Sequence, residues 1–87
     1  MTTFQAIISV KLRPSVLDPA GEATNSAAQK LGIKGITKLR IGKSISLEIN
    51  APDEDEARKR VELLSDRLLA NPVIEDWTLE LKPLIKP

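Results

Sequence analysis

Three residues near the middle of the chain, Arg40, Gly42 and Lys43, set two cations beside a glycine. Such a group suits a phosphate or a carboxylate, because both cations donate charge-assisted hydrogen bonds and glycine leaves the backbone open to a ligand. The same residues also describe an ordinary solvated hairpin tip. A second group, Val16-Leu17-Asp18-Pro19-Ala20-Gly21, has the order of a helix start. Asp18 suits the N-cap and Pro19 the first helical position, where its missing amide hydrogen costs nothing. Gly21 is harder to place, since glycine in a first helical turn costs up to about 1 kcal/mol against alanine. Either a fraying turn tolerates it, or another backbone or a ligand approaches closely there.

Little else in the chain can do covalent chemistry. It holds no cysteine and no histidine, which removes thiolate nucleophiles, zinc-sulfur sites, the usual general base and the commonest metal ligand. The serines, carboxylates and lysines are scattered, so neither a catalytic residue nor a metal site is expected. Thirteen basic residues against twelve acidic ones leave a net charge of +1, too weak a field to attract nucleic acid or an anionic membrane. No apolar run approaches the about 20 residues that span a bilayer. The amino terminus enters an alternating strand with no signal-peptide pattern, and the cytoplasm is the expected compartment.

The elements that position these groups follow from periodicity. From Thr3 to Leu12, Phe4, Ala6, Ile8, Val10 and Leu12 share one face, which predicts a strand ended by Pro14. A helix is expected from Pro19 to Leu31, with Ala20, Ala23, Ala27 and Leu31 inward and Gly32 as its stop. Leu39 and Ile41 before Gly42, and Ile45, Leu47 and Ile49 after it, predict a hairpin from Ile36 to Asn50. Matching apolar faces requires an odd loop, Gly42-Lys43-Ser44, with Ile41 opposite Ile45 and Leu39 opposite Leu47. Asp53 and Glu56 form a capping box for a second helix whose stripe is Ala57, Val61, Leu64 and Leu68. On it Glu54 with Arg58, Asp55 with Lys59 and Glu56 with Arg60 stand four apart, acid first. Asn71-Pro72 ends that helix, and Val73 to Lys82 reads as the last strand, with Trp77, Leu79 and Leu81 inward and Glu75 as a misfit. The tail Leu84-Ile85-Lys86-Pro87 is apolar enough to seek a packing partner.

Two strand-helix-strand halves joined by a hairpin predict an α+β, ferredoxin-like split β-α-β sandwich (βαββαβ). Its antiparallel four-stranded sheet would have the order 4-1-3-2, with two helices on one face. The whole chain, 1–87, reads as a single domain. Its small core and open sheet edges favour association with further copies. RNA binding through the sheet is disfavoured, because the aromatics are only Phe4 and Trp77 and both are expected to face the helices. From the residues alone the reading stops at an oligomeric α+β module that binds rather than catalyses, with a stand-alone dimeric regulatory domain that senses a small metabolite left open.

Five segments together resemble the PurS family: Val10-Lys11-Leu12-Arg13, Val16 to Gly21, Ala27 to Gly32, Leu39-Arg40-Ile41-Gly42-Lys43 and Leu68 to Glu75. PurS is the small subunit of phosphoribosylformylglycinamidine synthase, and the likeness covers nearly the whole chain. It implies a non-catalytic subunit of a ligase of de novo purine synthesis, itself a homo-oligomer, dimer or tetramer. A separate synthetase (PurL-type) would activate formylglycinamide ribonucleotide with ATP and magnesium, and a separate glutaminase (PurQ-type) would release ammonia from glutamine. The chain itself would hold no cofactor. Within that reading Asp18, Pro19, Gly21, Arg40, Gly42, Lys43, Asn71 and Pro72 are expected as partner-interface residues, since the segments Asp18 to Gly21 and Arg40 to Lys43 look costlier or more exact than their folding duties need. They would orient the two larger subunits and shield ammonia in transit.

Overall fold

The computed structural model describes residues 1–84. Their order is β1 (Thr2–Leu12), α1 (Pro19–Lys30), β2 (Lys43–Ala51), α2 (Glu54–Leu64), a π-helical turn (Ser65–Leu69) and β3 (Glu75–Pro83). The packing expected of the tail falls mostly on Ile85, Lys86 and Pro87, outside the described residues.

β1 is the central strand of an antiparallel sheet with the order β2-β1-β3. Ala6 lies opposite Leu47 and Leu81, and Ile8 opposite Ile45 and Leu79, so every apolar partner falls on one face. On that face Phe4, Ala6, Ile8 and Val10 are buried against Ala57, Val61 and Ala70.

Asp53 caps α2 as expected, its carboxylate accepting the Glu56 N–H at 2.8 Å. The inward stripe departs from expectation after Leu64. Leu68 is 74% exposed, while Ser65 is buried and Leu69 half-buried. The π turn is the cause: the Ala70 N–H reaches back five residues to the Ser65 carbonyl at 3.0 Å, and the wider turn shifts the helical phase by one residue. Two expected ion pairs form, Glu54 with Arg58 at 3.7 Å and Glu56 with Arg60 at 3.0 Å; among the described residues Asp55 and Lys59 do not meet. β3 starts at Glu75 rather than at Val73, which is exposed. Glu75 does share the face of Trp77, Leu79 and Leu81, and its carboxylate accepts the Asn71 N–H at 2.7 Å. A polar residue in that register thus closes the turn that leads into the strand.

The largest correction concerns residues 33–42. The hairpin through Gly42-Lys43-Ser44 does not form, and the strand expected from Ile36 is absent from the sheet, which has three strands. The reversal comes earlier, where Gly32 (φ 86°) and Gly35 (φ 96°) take the left-handed conformation that glycine adopts without strain. Residues 33–41 then run back along α1 and enter β2 through Gly42 without a turn. Asp18 holds this course by accepting the Ile41 N–H at 2.8 Å, and Gly42 passes so close to β1 that a Cβ on it would stand 2.7 Å from the Val10 carbonyl oxygen.

The placement of α1 changes accordingly. It was expected on the same face of the sheet as α2, with Ala20, Ala23, Ala27 and Leu31 inward; all four are exposed. The helix instead turns Gly21, Asn25 and Ala28 toward the returning segment. Helix and segment form an arm that stands off the sheet. The radius of gyration is 16.9 Å and the principal extents are 51 × 35 × 15 Å, against about 12 Å for the radius of a compact chain of this length.

Candidate functional site

The arm leaves the sheet at the end where β1 finishes, and the structure gathers the expected interface residues there. Asp18, 4% exposed, is the pin. One carboxylate oxygen accepts the Gly21 N–H at 2.9 Å, closing the first turn of α1, and the other accepts the Ile41 N–H at 2.8 Å. Asp18 therefore caps a helix and ties it to the returning segment. These bonds, the Ile41 N–H foremost and the Gly21 N–H next, hold its carboxyl below the ordinary carboxylate range. Burial opposes them, and the Arg40 charge and the Ala20 N–H add to them.

Gly21 resolves the choice left open above: the close neighbour is another backbone. A Cβ on Gly21 would overlap the Leu39 carbonyl oxygen and meet the Asp18 carboxylate at 2.8 Å. Arg40 and Lys43 are placed differently. The Arg40 guanidinium donates to the Arg13 carbonyl at 2.9 Å, whereas Lys43 is exposed at the start of β2.

Asn71 and Pro72 lie in the turn before β3, and Arg13 joins them to the arm. The Arg13 N–H donates to the Ile74 carbonyl at 2.8 Å. Its side chain donates to the Pro72 carbonyl at 2.8 Å, to the Val73 carbonyl at 3.1 Å and to the Asp76 carboxylate at 3.1 Å. Asn71 Oδ1 accepts the Val73 N–H at 2.9 Å and keeps that turn closed. A cleft of about 340 Å³ opens beside Arg13, bounded by Asp66, Pro72, Glu75 and Trp77. Sequence reasoning took Arg13 only as the end of a strand. Its signal was available, an arginine beside Pro14 where β1 stops, but nothing in the spacing said that its fork would reach a turn about sixty positions away.

The network runs from α1 through Asp18, Ile41, Arg40 and Arg13 to the turn before β3. It contains no nucleophile next to a base, and among the described residues no three carboxylates could hold a metal ion. It makes a shaped polar end in which two cations and a buried carboxylate lock three segments together. Phe4 and Trp77 both lie on the helix-facing side of the sheet, so the open face has no aromatic platform for nucleic-acid bases. No helix among the described residues is long and apolar enough to cross a membrane.

The depressed acidity of Asp18 predicts a pH dependence. A carboxylate whose folded-state pKa is lowered stabilises the fold fully above its unfolded value, and that contribution is lost as pH falls through the folded value. In thermal melts at neutral pH, Asp18→Asn is expected to be the less stable protein. The difference should narrow as pH falls below the ordinary carboxylate range. A constant difference down to the acid limit would mean that Asp18 carries no charge-dependent bond.

Residues 5–83 match the PurS family, phosphoribosylformylglycinamidine (FGAM) synthase. The PurS subunit of that synthase from Synechocystis sp. is 48% identical over 82 residues, covering 94% of this chain and 82% of the relative. The solved PurS of Bacillus subtilis superposes with a TM-score of 0.81 at 35% identity, over 91% of this chain and 98% of that one. A chain in the structure of PurLQS from Thermotoga maritima superposes with a TM-score of 0.84 at 36% identity, over 97% of this chain and 100% of that one. With sequence and fold shared over nearly its whole length, the chain belongs to the PurS family, the subunits of phosphoribosylformylglycinamidine synthase in purine biosynthesis.

Proposed function

We propose that this chain, acting over residues 1–87 as one unit, is the non-catalytic assembly subunit of a phosphoribosylformylglycinamidine synthase, a ligase. It binds a PurL-type synthetase and a PurQ-type glutaminase and sets their relative orientation. The observation that carries the reading is the overlay of almost every residue on a chain of the PurLQS structure from T. maritima. The site supports the same division of labour, because a hydrogen-bonded knuckle with no reactive group suits positioning rather than turnover. ATP, magnesium and glutamine serve the assembled complex through the two larger subunits, and this chain holds no cofactor. It works as a homo-oligomer in the cytoplasm, where the substrates of purine synthesis are found.

The interface we assign is the polar end built from Asp18, Pro19, Gly21, Arg40, Gly42, Lys43, Asn71 and Pro72. Asp18, Gly21 and Arg40 shape it from within, whereas Lys43 presents its charge outward. Held between synthetase and glutaminase, this end also shields ammonia on its way between them.

The test is reconstitution. The chain is mixed with the synthetase and glutaminase of the same cell, with magnesium, ADP and glutamine, and mass is read by light scattering. A complex of all three is expected, with glutamine-dependent activity lost when this chain is omitted. If the two larger proteins assemble and work without it, the assembly reading falls and the metabolite-sensing alternative takes its place. Lys43→Glu should weaken assembly several-fold through charge reversal at the rim while the free subunit stays folded. Unaltered assembly would remove Lys43 from the interface.

A further inference from the structure

β3 is an edge of the sheet, and among the described residues no strand pairs with its outer side. The hydrogen-bond phase fixes which of its backbone groups face outward. The Leu84 N–H donates to the Thr3 carbonyl at 2.8 Å and the Arg13 N–H to the Ile74 carbonyl at 2.8 Å, so Asp76, Thr78, Glu80 and Lys82, in the same phase, bond to β1. Opposite pairs of an antiparallel ladder alternate between bonded and unbonded, which leaves the N–H and C=O groups of Trp77, Leu79 and Leu81 pointing to the free side. Pro83 obeys the same phase, its missing amide hydrogen facing outward where it costs β1 nothing. β3 keeps register with β1 over all nine of its residues. From Glu75 to Leu81 it carries no lysine, proline or bulge, the devices that blunt an exposed edge.

At the start of this edge lies the cleft beside Arg13. Its walls carry Asp66, Glu75 and Asp76 against a single cation, Arg13. That cation is bonded to Asp76 and to the Pro72 and Val73 carbonyls, and Glu75 gives one oxygen to the Asn71 N–H. Asp66 has no ion-pair partner among the described residues. Three carboxylates against one guanidinium leave the cleft negative, and half-buried Trp77 adds an aromatic wall of the kind that attracts a cation. We infer that a strand of one of the larger subunits adds to β3 along residues 77–81, and that an arginine or lysine at the end of that strand enters the cleft between Asp66 and Glu75. This placement rests on the assembly reading above and names the edge that the larger subunit uses.

Side-chain parity says what that strand is like. Residues directly opposite one another across a ladder point to the same face. On the added strand, those opposite Leu79 and Leu81 lie on the core face, beside apolar side chains that are only half-buried, and the one opposite Glu75 lies at the cleft. Its other face meets Asp76, Thr78, Glu80 and Lys82. The fitting segment therefore alternates: a basic residue at one end of the inner face, apolar residues after it, and basic residues opposite Asp76 and Glu80. Main-chain bonds to Trp77, Leu79 and Leu81 supply affinity, and this alternation supplies selectivity. A second copy of the chain fits less well. Its β3, laid antiparallel with Leu79 opposite Leu79, would bring Pro83 to Glu75 and leave the cleft without a cation. The turn before β3, with Asn71 and Pro72, leads from the assigned polar end straight into this edge, so one partner can hold both.

Amide hydrogen exchange, resolved to single residues, reads the edge without any substitution. In the isolated chain the outward amides of Trp77, Leu79 and Leu81 should exchange at least about tenfold faster than those of Thr78, Glu80 and Lys82, which bond to β1. Once the synthetase and glutaminase are added, with magnesium, ADP and glutamine, the outward three should slow by about tenfold or more. A three-protein complex seen by light scattering in which they stay fast would overturn the strand addition and leave the assembly reading standing. No complex at all would overturn both. Slow outward amides already in the isolated chain would show an edge occupied without the larger subunits, which would equally overturn it.

Asp66→Lys tests the cleft. Asp66 is exposed and lies in the π turn that ends the second helix, where the helix dipole favours a cation over an anion. The free subunit should therefore stay folded, as thermal melts would show. Assembly with the larger subunits should weaken by about tenfold or more, and raised salt should narrow the difference from the parent. Asp66→Asn, which removes the charge without reversing it, should show a smaller loss in the same direction. Unchanged assembly in both variants would take the basic side chain out of the cleft and overturn that part of the placement.

Discussion

Alanine at Gly21 is expected to destabilise the folded chain by about 1–3 kcal/mol, the usual cost of forcing an extra carbon into a closed contact, and to cut assembly with the larger subunits at least tenfold. The methyl group would overlap the Leu39 carbonyl oxygen, a backbone atom with no rotamer to yield. Either α1 tilts away or residues 39–41 retreat, and both movements stretch the two bonds that Asp18 makes to Gly21 and Ile41. Because that pin aligns the arm with the polar end of the sheet, the loss should reach beyond stability. Denaturant melts of the isolated chain and light scattering of the three-protein mixture check the two effects separately. A variant as stable as the parent would mean that the segment relaxes freely and that Gly21 is only a tolerated residue in a first helical turn.

Arg13→Ala has the second largest expected effect. Arg13 donates through its side chain to two carbonyls and a carboxylate across the sheet end, while its own carbonyl receives Arg40. Charge-assisted bonds of this kind are worth about 1.5–3 kcal/mol when shielded. The side chain is 43% exposed and its Asp76 partner 66%, so solvent screening reduces the expected loss to about 1–2 kcal/mol. Arg13→Lys should recover little of it, since an ammonium on a flexible stem cannot span the Pro72 and Val73 carbonyls as a planar fork does. If Lys restored full stability, the bond to Asp76 would be the one that matters and the carbonyl bonds incidental. Hydrogen exchange at Val73 and Ile74 gives the local readout: protection there should fall in both variants if Arg13 holds this turn.

Several parts of the molecule were legible from residue order because they depend on near neighbours. β1 was readable from its alternation, α1 from Asp18 and Pro19, and α2 from Asp53 with Glu56. Each rests on bonds or burial within a few residues; β1 and α1 are found within one or two positions of where the pattern put them, and α2 starts at its expected cap but gives way to the π turn after Leu64. The phase slip after Leu64 was not readable, because a π turn arises when packing rewards Ser65 and Leu69 over Leu68, and that preference lies in the sheet below. Glu75 looked out of place for the same reason, its partner being a backbone N–H in a turn whose geometry no periodicity reports. At Gly21 one of the two readings the sequence offered, close approach of another backbone, is what the structure shows. Backbone passes close beside both Gly21 and Gly42, and Arg40 donates to the Arg13 carbonyl, a contact the spacing did not report.

What the sequence determined by itself was both helices and three of the four expected strands, the inward faces of those three strands and the absence of thiol and imidazole chemistry. These follow from side-chain period and composition, which do not depend on where distant segments lie. Only the tertiary structure decided the course of residues 33–42 and the standing of α1. A glycine between two alternating runs is compatible with a hairpin and with a straight passage. The choice fell to the long-range bond between Asp18 and Ile41 and to the contact of Gly42 with Val10, which hold the strand straight and leave the arm free to reach beyond its own sheet.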